Sequence, residues 1–219
     1  MRWCARHGRP RLLTLTRLVA VRAQISFANT WLALAAFFVV YDFFYAPFHR
    51  ALHHRLVYAY VHKHHHRQVV PTRGNTDAIN VHPFEFILGE YNHVLAVYLV
   101  SRFVMPIHAV ACVLFLVAGG CLATLNHTRL DCSWLTLPFT TVPVFAVRAH
   151  DTHHAAFNYN YGQYIMLWDH VMGTYKAHPQ DPQDGAPPPS EAGVAGAKGR
   201  TAAGTNGSGI AAAHKEKGG

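Results

Sequence analysis

The sequence predicts a mostly α-helical integral membrane protein with a histidine-rich metal site on helices at its cytosolic face. Three observations lead there: apolar runs of membrane-spanning length, a low charged fraction, and histidines at helical spacing just outside those runs. Of 219 residues, 51% are hydrophobic and 14% charged. A soluble domain averages about 25% charged. The formal charge of +8 sits on basic residues beside apolar runs. That pattern fits the cytosolic flank of a membrane protein and argues against a nucleic-acid partner.

The length allows one catalytic domain, expected over residues 25–178, between a basic segment (1–24) and a tail (179–219). Met1–Arg22 carries Arg2, Arg6, Arg9, Arg11, Arg17 and Arg22, and the first acidic residue is Asp42. This start reads either as a transit peptide or as the positive flank of the first span. Ile25–Phe44 is almost wholly apolar. About 20 residues make about 30 Å of helix, enough to cross a bilayer. Asp42 lies at its end, where a charge is tolerable.

Val94–Leu125 predicts a hairpin turning near Pro106, with Gly119-Gly120 permitting close helix approach. Leu135–Val147 is short, holds Pro138 and Pro143, and reads as interfacial or re-entrant. Beyond Pro179 the Pro/Gly/Ala/Ser/Lys composition predicts disorder. Cys4, Cys112, Cys121 and Cys132 show no CxxC spacing, so a redox pair or zinc knuckle is not indicated.

Histidines carry the chemistry. The clusters are His49-Arg-Ala-Leu-His53, His62-Lys-His-His65-His66 and His150-Asp-Thr-His153-His154. Residues three and four apart share a helix face, so each cluster can aim two or three imidazoles at one point. Imidazole suits iron, zinc, copper and nickel. His53 and His62 are nine residues apart and would face opposite sides of a straight helix, so a bend near Leu56–Val61 is predicted. His54 and His64 are expected to be bystanders. His82, in His82-Pro-Phe-Glu85, and His127, after Asn126, join the candidates.

Eight clustered histidines plus His127 exceed one ion's needs, since a catalytic zinc takes three protein ligands. Two metals are implied. The nearby carboxylates Asp77, Glu85, Asp131, Asp151 and Asp169 are expected to accept the free imidazole N–H groups.

These boxes, taken in order with Asn158-Tyr-Asn-Tyr161-Gly162, Trp168-Asp169 and Gly173-Thr174, resemble the fatty acid hydroxylase / sterol desaturase superfamily over residues 48–174. Sterol C4-methyl oxidases, C5-desaturases and cholesterol 25-hydroxylases belong to it. The resemblance implies a membrane-bound di-iron enzyme that hydroxylates or desaturates a sterol or fatty acyl lipid. It implies O2 and NAD(P)H-derived electrons, delivered through cytochrome b5, at the endoplasmic reticulum membrane. By match, the iron ligands are His49, His53, His62, His65, His66, His150, His153 and His154, with His82 and His127 carried over. The chain departs from the pattern at Arg129, where the family often has glycine. It also shows one clear span before the first box, where two are common. Lys215 and Lys217 resemble a dilysine retrieval signal, which requires a cytosolic tail. Tyr159, Tyr161 and Trp168 line a substrate entrance or sit as interfacial aromatics. The alternatives are a catalytically inactive member of the family or a membrane metal transporter.

Overall fold

The computed structural model describes residues 24–131 and 135–179, together with the backbone of residues 19–20. The arginine-rich start, Cys4, Cys132 and the tail with Lys215 and Lys217 lie outside these residues. The chain divides into Met1–Pro179 and Gln180–Gly219, and the described residues belong to the first unit.

The described residues are mostly helical. Helix α1 (Ala33–Leu52) continues a π-helical turn, Ala28–Leu32. Together Ala28–Leu52 make a helix long and apolar enough to cross a membrane. It runs past the expected limit at Phe44, so its last turns carry His49. Short α2 (Tyr58–Val61) and a 3-10 turn (His65–Arg67) come next, then α3 (Asn75–Ala78). Helix α4 (Pro83–Leu99) opens with Pro83 at its first position, where the missing N–H costs nothing. It passes through a π-helical turn (Val100–Val104) to a break at Met105-Pro106. Helix α5 (Ala109–Leu125) then runs back, so the hairpin forms with its turn at the expected proline. A two-residue parallel pair, β1 (Val19–Ala20) with β2 (Ile107–His108), sits at that turn. Residues 135–146 are irregular apart from a Thr136–Pro143 bridge. Helices α6 (Val147–Ala156) and α7 (Leu167–Met172) complete the unit.

One stripe explains how the core leads into the site. Ala33, Phe37, Tyr41, Tyr45 and His49 recur every fourth residue along α1 and are all buried. Four-residue spacing keeps side chains on one helix face. That face packs mainly on α4 and α5. Phe37 meets Phe115 at 5.1 Å between ring centroids, and Tyr41 meets Tyr164 at 4.8 Å. Gly119 permits the close approach expected of it: a Cβ there would stand 3.0 Å from the Tyr164 hydroxyl. Gly120 would meet nothing within 4 Å.

The opposite faces are apolar and exposed, including Trp31 and Phe43 on the first helix, Ile87, Tyr91 and Val94 on α4, and Val113 and Val117 on α5. Polar groups instead lie inside. Buried Asp42 accepts backbone N–H bonds from Gln163 (2.8 Å), Tyr164 (2.9 Å) and Ile165 (2.6 Å). It is therefore not a charge tolerated at a helix end but the tie between α1 and the loop before α7.

Candidate metal centre

Helix α1 ends at Leu52, and the chain turns through residues 53–57 into α2. The bend demanded by the His53–His62 spacing is present, beginning slightly before the expected stretch. It brings His49 Nε2 to 3.0 Å from His62 Nε2.

Nine of the ten candidate ligands converge in two groups. His49, His53, His62, His66 and His153 form one; His65, His127, His150 and His154 form the other. Within each group the ligand nitrogens all lie within 4.8 Å of one another. The groups are neighbours, with the rings of His66 and His154 at 4.6 Å. The first cluster aims both its imidazoles, His49 and His53, into one group, and the second and third each aim two of their three into one group. The four-spaced pairs His49/His53, His62/His66 and His150/His154 stay together, while His65 and His153 cross to the other group. On α6 the reason is helical phase. A four-residue step turns about 40° past a full circle, and a three-residue step falls about 60° short.

His82 is not among them. It is exposed and caps α4, its Nδ1 accepting from Phe84 N–H at 3.1 Å. Its box partner Glu85 is the one that reaches the site. His54 and His64 are exposed, as expected of bystanders, and His64 pairs with Asn80 at 2.7 Å. His127 belongs to the second group despite Arg129, which is exposed.

The ring orientations are set mostly by backbone, not by the expected carboxylates. His49 Nδ1 donates to Tyr161 O (2.8 Å) and His153 Nδ1 to Tyr159 O (2.7 Å). His154 Nδ1 donates to Gln68 O (2.9 Å) and His127 Nδ1 to Ala123 O (2.9 Å). Of the five carboxylates, Glu85 alone serves in the expected way among these bonds, both its oxygens lying 2.9 Å from His62 Nδ1. Asp77 instead binds Thr72 N–H and the Arg73 backbone and guanidinium. Asp131 takes Val147 N–H. Asp169 takes the N–H groups of Tyr161 and Gly162 and the Thr174 hydroxyl, each at 2.7 Å. Asp151 Oδ1 is buried without a hydrogen-bond partner.

The loop holding Tyr159 and Tyr161 is thus framed by three buried side chains besides Asp42. Asp169 and Asn126 grip it, Asn126 donating to Gln163 O at 2.8 Å. Asn160, at φ 56°, donates to the carbonyls of Ala149 and Lys176. Asparagine is the non-glycine residue best suited to that backbone region. Phe157, at φ 61°, is strained there, and its ring packs on His66 at 5.0 Å.

A carbonyl only accepts, so each ring bonded to one carries its proton on Nδ1 and a bare lone pair on Nε2. His150 Nε2 stands 3.1 Å from His154 Nε2 and 3.2 Å from His127 Nε2. One proton on His150 can satisfy only one of those two lone pairs. The buried Nδ1 of His65, His66 and His150 and Nε2 of His53 have no hydrogen-bond partner. Extra protons do not resolve this. Burial, then the neighbouring imidazoles, hold His65, His150 and His153 well below the ordinary histidine range, and burial holds His154 down to about 3. Burial pushes Glu85 up to about 8 and His62 down. A cation held at His62 Nε2 would occupy that lone pair, leaving the ring's one proton on Nδ1, and would favour the ionised Glu85 carboxylate facing it. The donor set fits metal cations. Metal–nitrogen bonds of about 2.1 Å place adjacent ligand nitrogens about 3 Å apart, matching the 3.0–3.2 Å separations here.

Fold and site define a class: a helical protein whose buried centre is made of neutral imidazoles oriented by backbone carbonyls. The chain belongs to the fatty acid hydroxylase family, whose model matches residues 34–174. It is 33% identical over 158 residues to the lathosterol oxidase of Mus musculus, covering 70% of this chain and 49% of that protein. It is 31% identical to the Delta(7)-sterol 5(6)-desaturase of Leptosphaeria maculans, covering 62% and 38%. It is 30% identical to protein CER1-like 2 of Arabidopsis thaliana, covering 61% and 22%. The chain spans about half the length of the lathosterol oxidases it matches. No solved structure matches it.

Proposed function

We propose that this protein is a membrane-embedded di-iron oxidase that hydroxylates or desaturates a sterol or fatty acyl lipid. The observation that carries the reading is the pair of histidine groups whose facing Nε2 lone pairs hydrogen bonding cannot satisfy. His49, His53, His62, His66 and His153 would hold one ion, and His65, His127, His150 and His154 the other. All-nitrogen donors suit iron. Bound iron supplies O2 activation and removal of hydrogen from an unactivated C–H bond.

The chain's own residues do the rest. Carbonyls of Tyr159, Tyr161, Gln68 and Ala123 hold the Nδ1 protons, which fixes both tautomer and ring plane before any metal arrives. Glu85 holds the Nδ1 proton of His62 and adds negative charge beside the site. Burial of all four imidazoles of the second group keeps water from the reacting region.

The membrane reading is supported by the Ala28–Leu52 helix and by apolar side chains on the outer faces of α4 and α5. Exposed apolar surface of this extent marks contact with lipid or partners. The relatives named for sterol oxidation support the sterol class. Electrons from NAD(P)H through cytochrome b5, placement in the endoplasmic reticulum and a cytosolic site and C-terminus belong to the same proposal.

The test is direct. The purified protein, loaded with ferrous iron, is given lathosterol or an acyl lipid, O2, NADPH, cytochrome b5 and its reductase. Two irons per chain and an oxidised lipid are expected, and His153→Ala should lose both. Full iron and turnover in that variant, or metal-replete protein that oxidises neither lipid class, would defeat the reading.

A further inference from the structure

Backbone carbonyls and Glu85 hold three rings of the first histidine group, those of His49, His153 and His62. Among the described residues, no carbonyl or carboxylate is hydrogen-bonded to the other two, His53 and His66. The Nδ1 of His66 is buried without a partner, and the His154 carbonyl lies beside that ring without closing a hydrogen bond. Both rings pack on aromatics instead. His66 lies 5.0 Å from Phe157 and 6.0 Å from Tyr58 between centroids. His53 lies 5.6 Å from Tyr58 and 6.3 Å from Phe157. The two aromatics meet each other at 5.9 Å.

The backbone brings Phe157 there by a strained path. This residue ends α6 at φ 61° and ψ −35°. The Asn158 N–H donates to Ala156 O at 2.7 Å, two residues back, which closes a γ-turn centred on Phe157. The positive-φ form of that turn is rare and strained, and glycine adopts it far more easily than a residue with a Cβ. A helix running on would give the Asn158 N–H to His154 O. The turn diverts it, leaving the His154 carbonyl beside His66. Where α7 ends with positive φ, at 67°, the residue is Gly173. Phenylalanine at the matching place on α6 therefore points to a need for the ring. Phe157 is 37% exposed, so its own burial contributes little against the strain. Strain of this kind gathers at functional sites.

We propose that Phe157 is a positioning residue of the metal centre. Its strained turn seats the phenyl ring on His66 and, together with Tyr58, on His53, fixing the planes of the two ligand candidates that no carbonyl or carboxylate holds. The inference rests on the di-iron reading and adds to it a residue that is not itself a ligand. An imidazole free to rotate about its Cβ–Cγ bond turns Nε2 away from the neighbouring nitrogens of its group. For His49 and His153 a hydrogen bond at Nδ1 prevents that. For His66 the Phe157 ring does so, its plane inclined by 37° to the imidazole. Such a contact adds no charge and takes no proton.

The experiment is calorimetric titration of ferrous iron into the metal-free, detergent-solubilised full chain, with thermal unfolding of the metal-free protein alongside. Wild type should show two sites, and the site lost in His49→Ala identifies the first group. Phe157→Gly should weaken iron at that site by about tenfold to a hundredfold and leave the other unchanged. The same variant should melt within about 4 °C of wild type, because release of strain offsets the lost ring packing. A residue serving the fold alone cannot separate these two readouts. Phe157→Tyr, which keeps the ring, should restore the first site. Phe157→Leu, which keeps the apolar bulk and the strained turn without a flat face, should not. Unchanged affinity in Phe157→Gly, equal weakening of both sites, restoration by Phe157→Leu, or a Phe157→Gly chain that melts far lower overturns the proposal. Failure of the di-iron reading looks different: wild type itself then takes up no iron, or only one ion.

Discussion

Asp42→Asn tests whether the loop that orients the histidines is held from α1. The carboxylate takes one N–H on Oδ1, from Gln163, and two on Oδ2, from Tyr164 and Ile165. Asparagine has the same shape but one acceptor oxygen. Its amide will turn to keep the two-bond side, so the Gln163 N–H faces an NH2 group and loses its partner. A hydrogen bond to a charged group contributes about 1.5–3 kcal/mol, and a neutral one about 0.5–1.5. One charged bond lost and two reduced to neutral ones come to about 3–5 kcal/mol. Against a domain stability of about 5–15 kcal/mol that is large, and for a chain of this size it means a Tm lower by about 10 °C or more. The loop also carries Tyr161 O, which fixes His49, so iron retention should fall with stability. The assay is thermal unfolding in detergent by circular dichroism, with iron content measured before heating. A variant that melts within about 2 °C of wild type and keeps its iron would refute the claim that Asp42 holds this loop.

Three other substitutions probe neighbouring parts. Gly162→Ala would place a Cβ 2.7 Å from Ile165 O and 2.9 Å from Asp169 Oδ2; overpacking against backbone costs about 1–3 kcal/mol, read as a lower Tm, and an unchanged melt would show that the loop relaxes freely. Glu85→Gln keeps an acceptor for His62 but removes the charge, and isothermal titration should find iron affinity at one of two sites weaker by about tenfold to a hundredfold. His82→Ala should leave iron stoichiometry untouched while costing about 1 kcal/mol through loss of the α4 cap; loss of an iron would restore His82 as a ligand.

The histidines were legible because their signal is one of residue type and spacing. Four-residue repeats such as His150/His154 must share a helix face, and the nine-residue gap from His53 to His62 required a bend that the chain makes at residues 53–57. Pro106 marked the hairpin turn for an equally local reason. The division into two groups was not legible. His65 and His153 separate from their cluster partners by helix phase and by the path of the chain, and the latter is a tertiary fact. The position of His82 outside both groups has a physical cause too. A histidine before proline at a helix start serves as a cap, and sequence spacing does not separate a capping ring from a coordinating one.

The largest gap between sequence and structure concerns what orients the imidazoles. Carboxylates were the natural candidates because they are visible as residues. Four of the rings are instead held by main-chain carbonyls, a group every residue possesses, so composition leaves no trace of the choice. The choice has a consequence for charge. A shell of carboxylates around nine imidazoles would bring several buried negative charges, each costly to desolvate, while carbonyls fix the same Nδ1 protons without net charge. The acidic residues are then free to do structural work one step out: Asp42 and Asp169 hold the backbone of the segment that supplies the Tyr161 carbonyl. Metal retention and folding stability should therefore rise and fall together when that loop is disturbed, even though neither aspartate is a ligand candidate. Glu85 is the exception that keeps one negative charge against His62, and so it is the one acidic side chain whose neutralisation should weaken iron binding without a matching loss of stability.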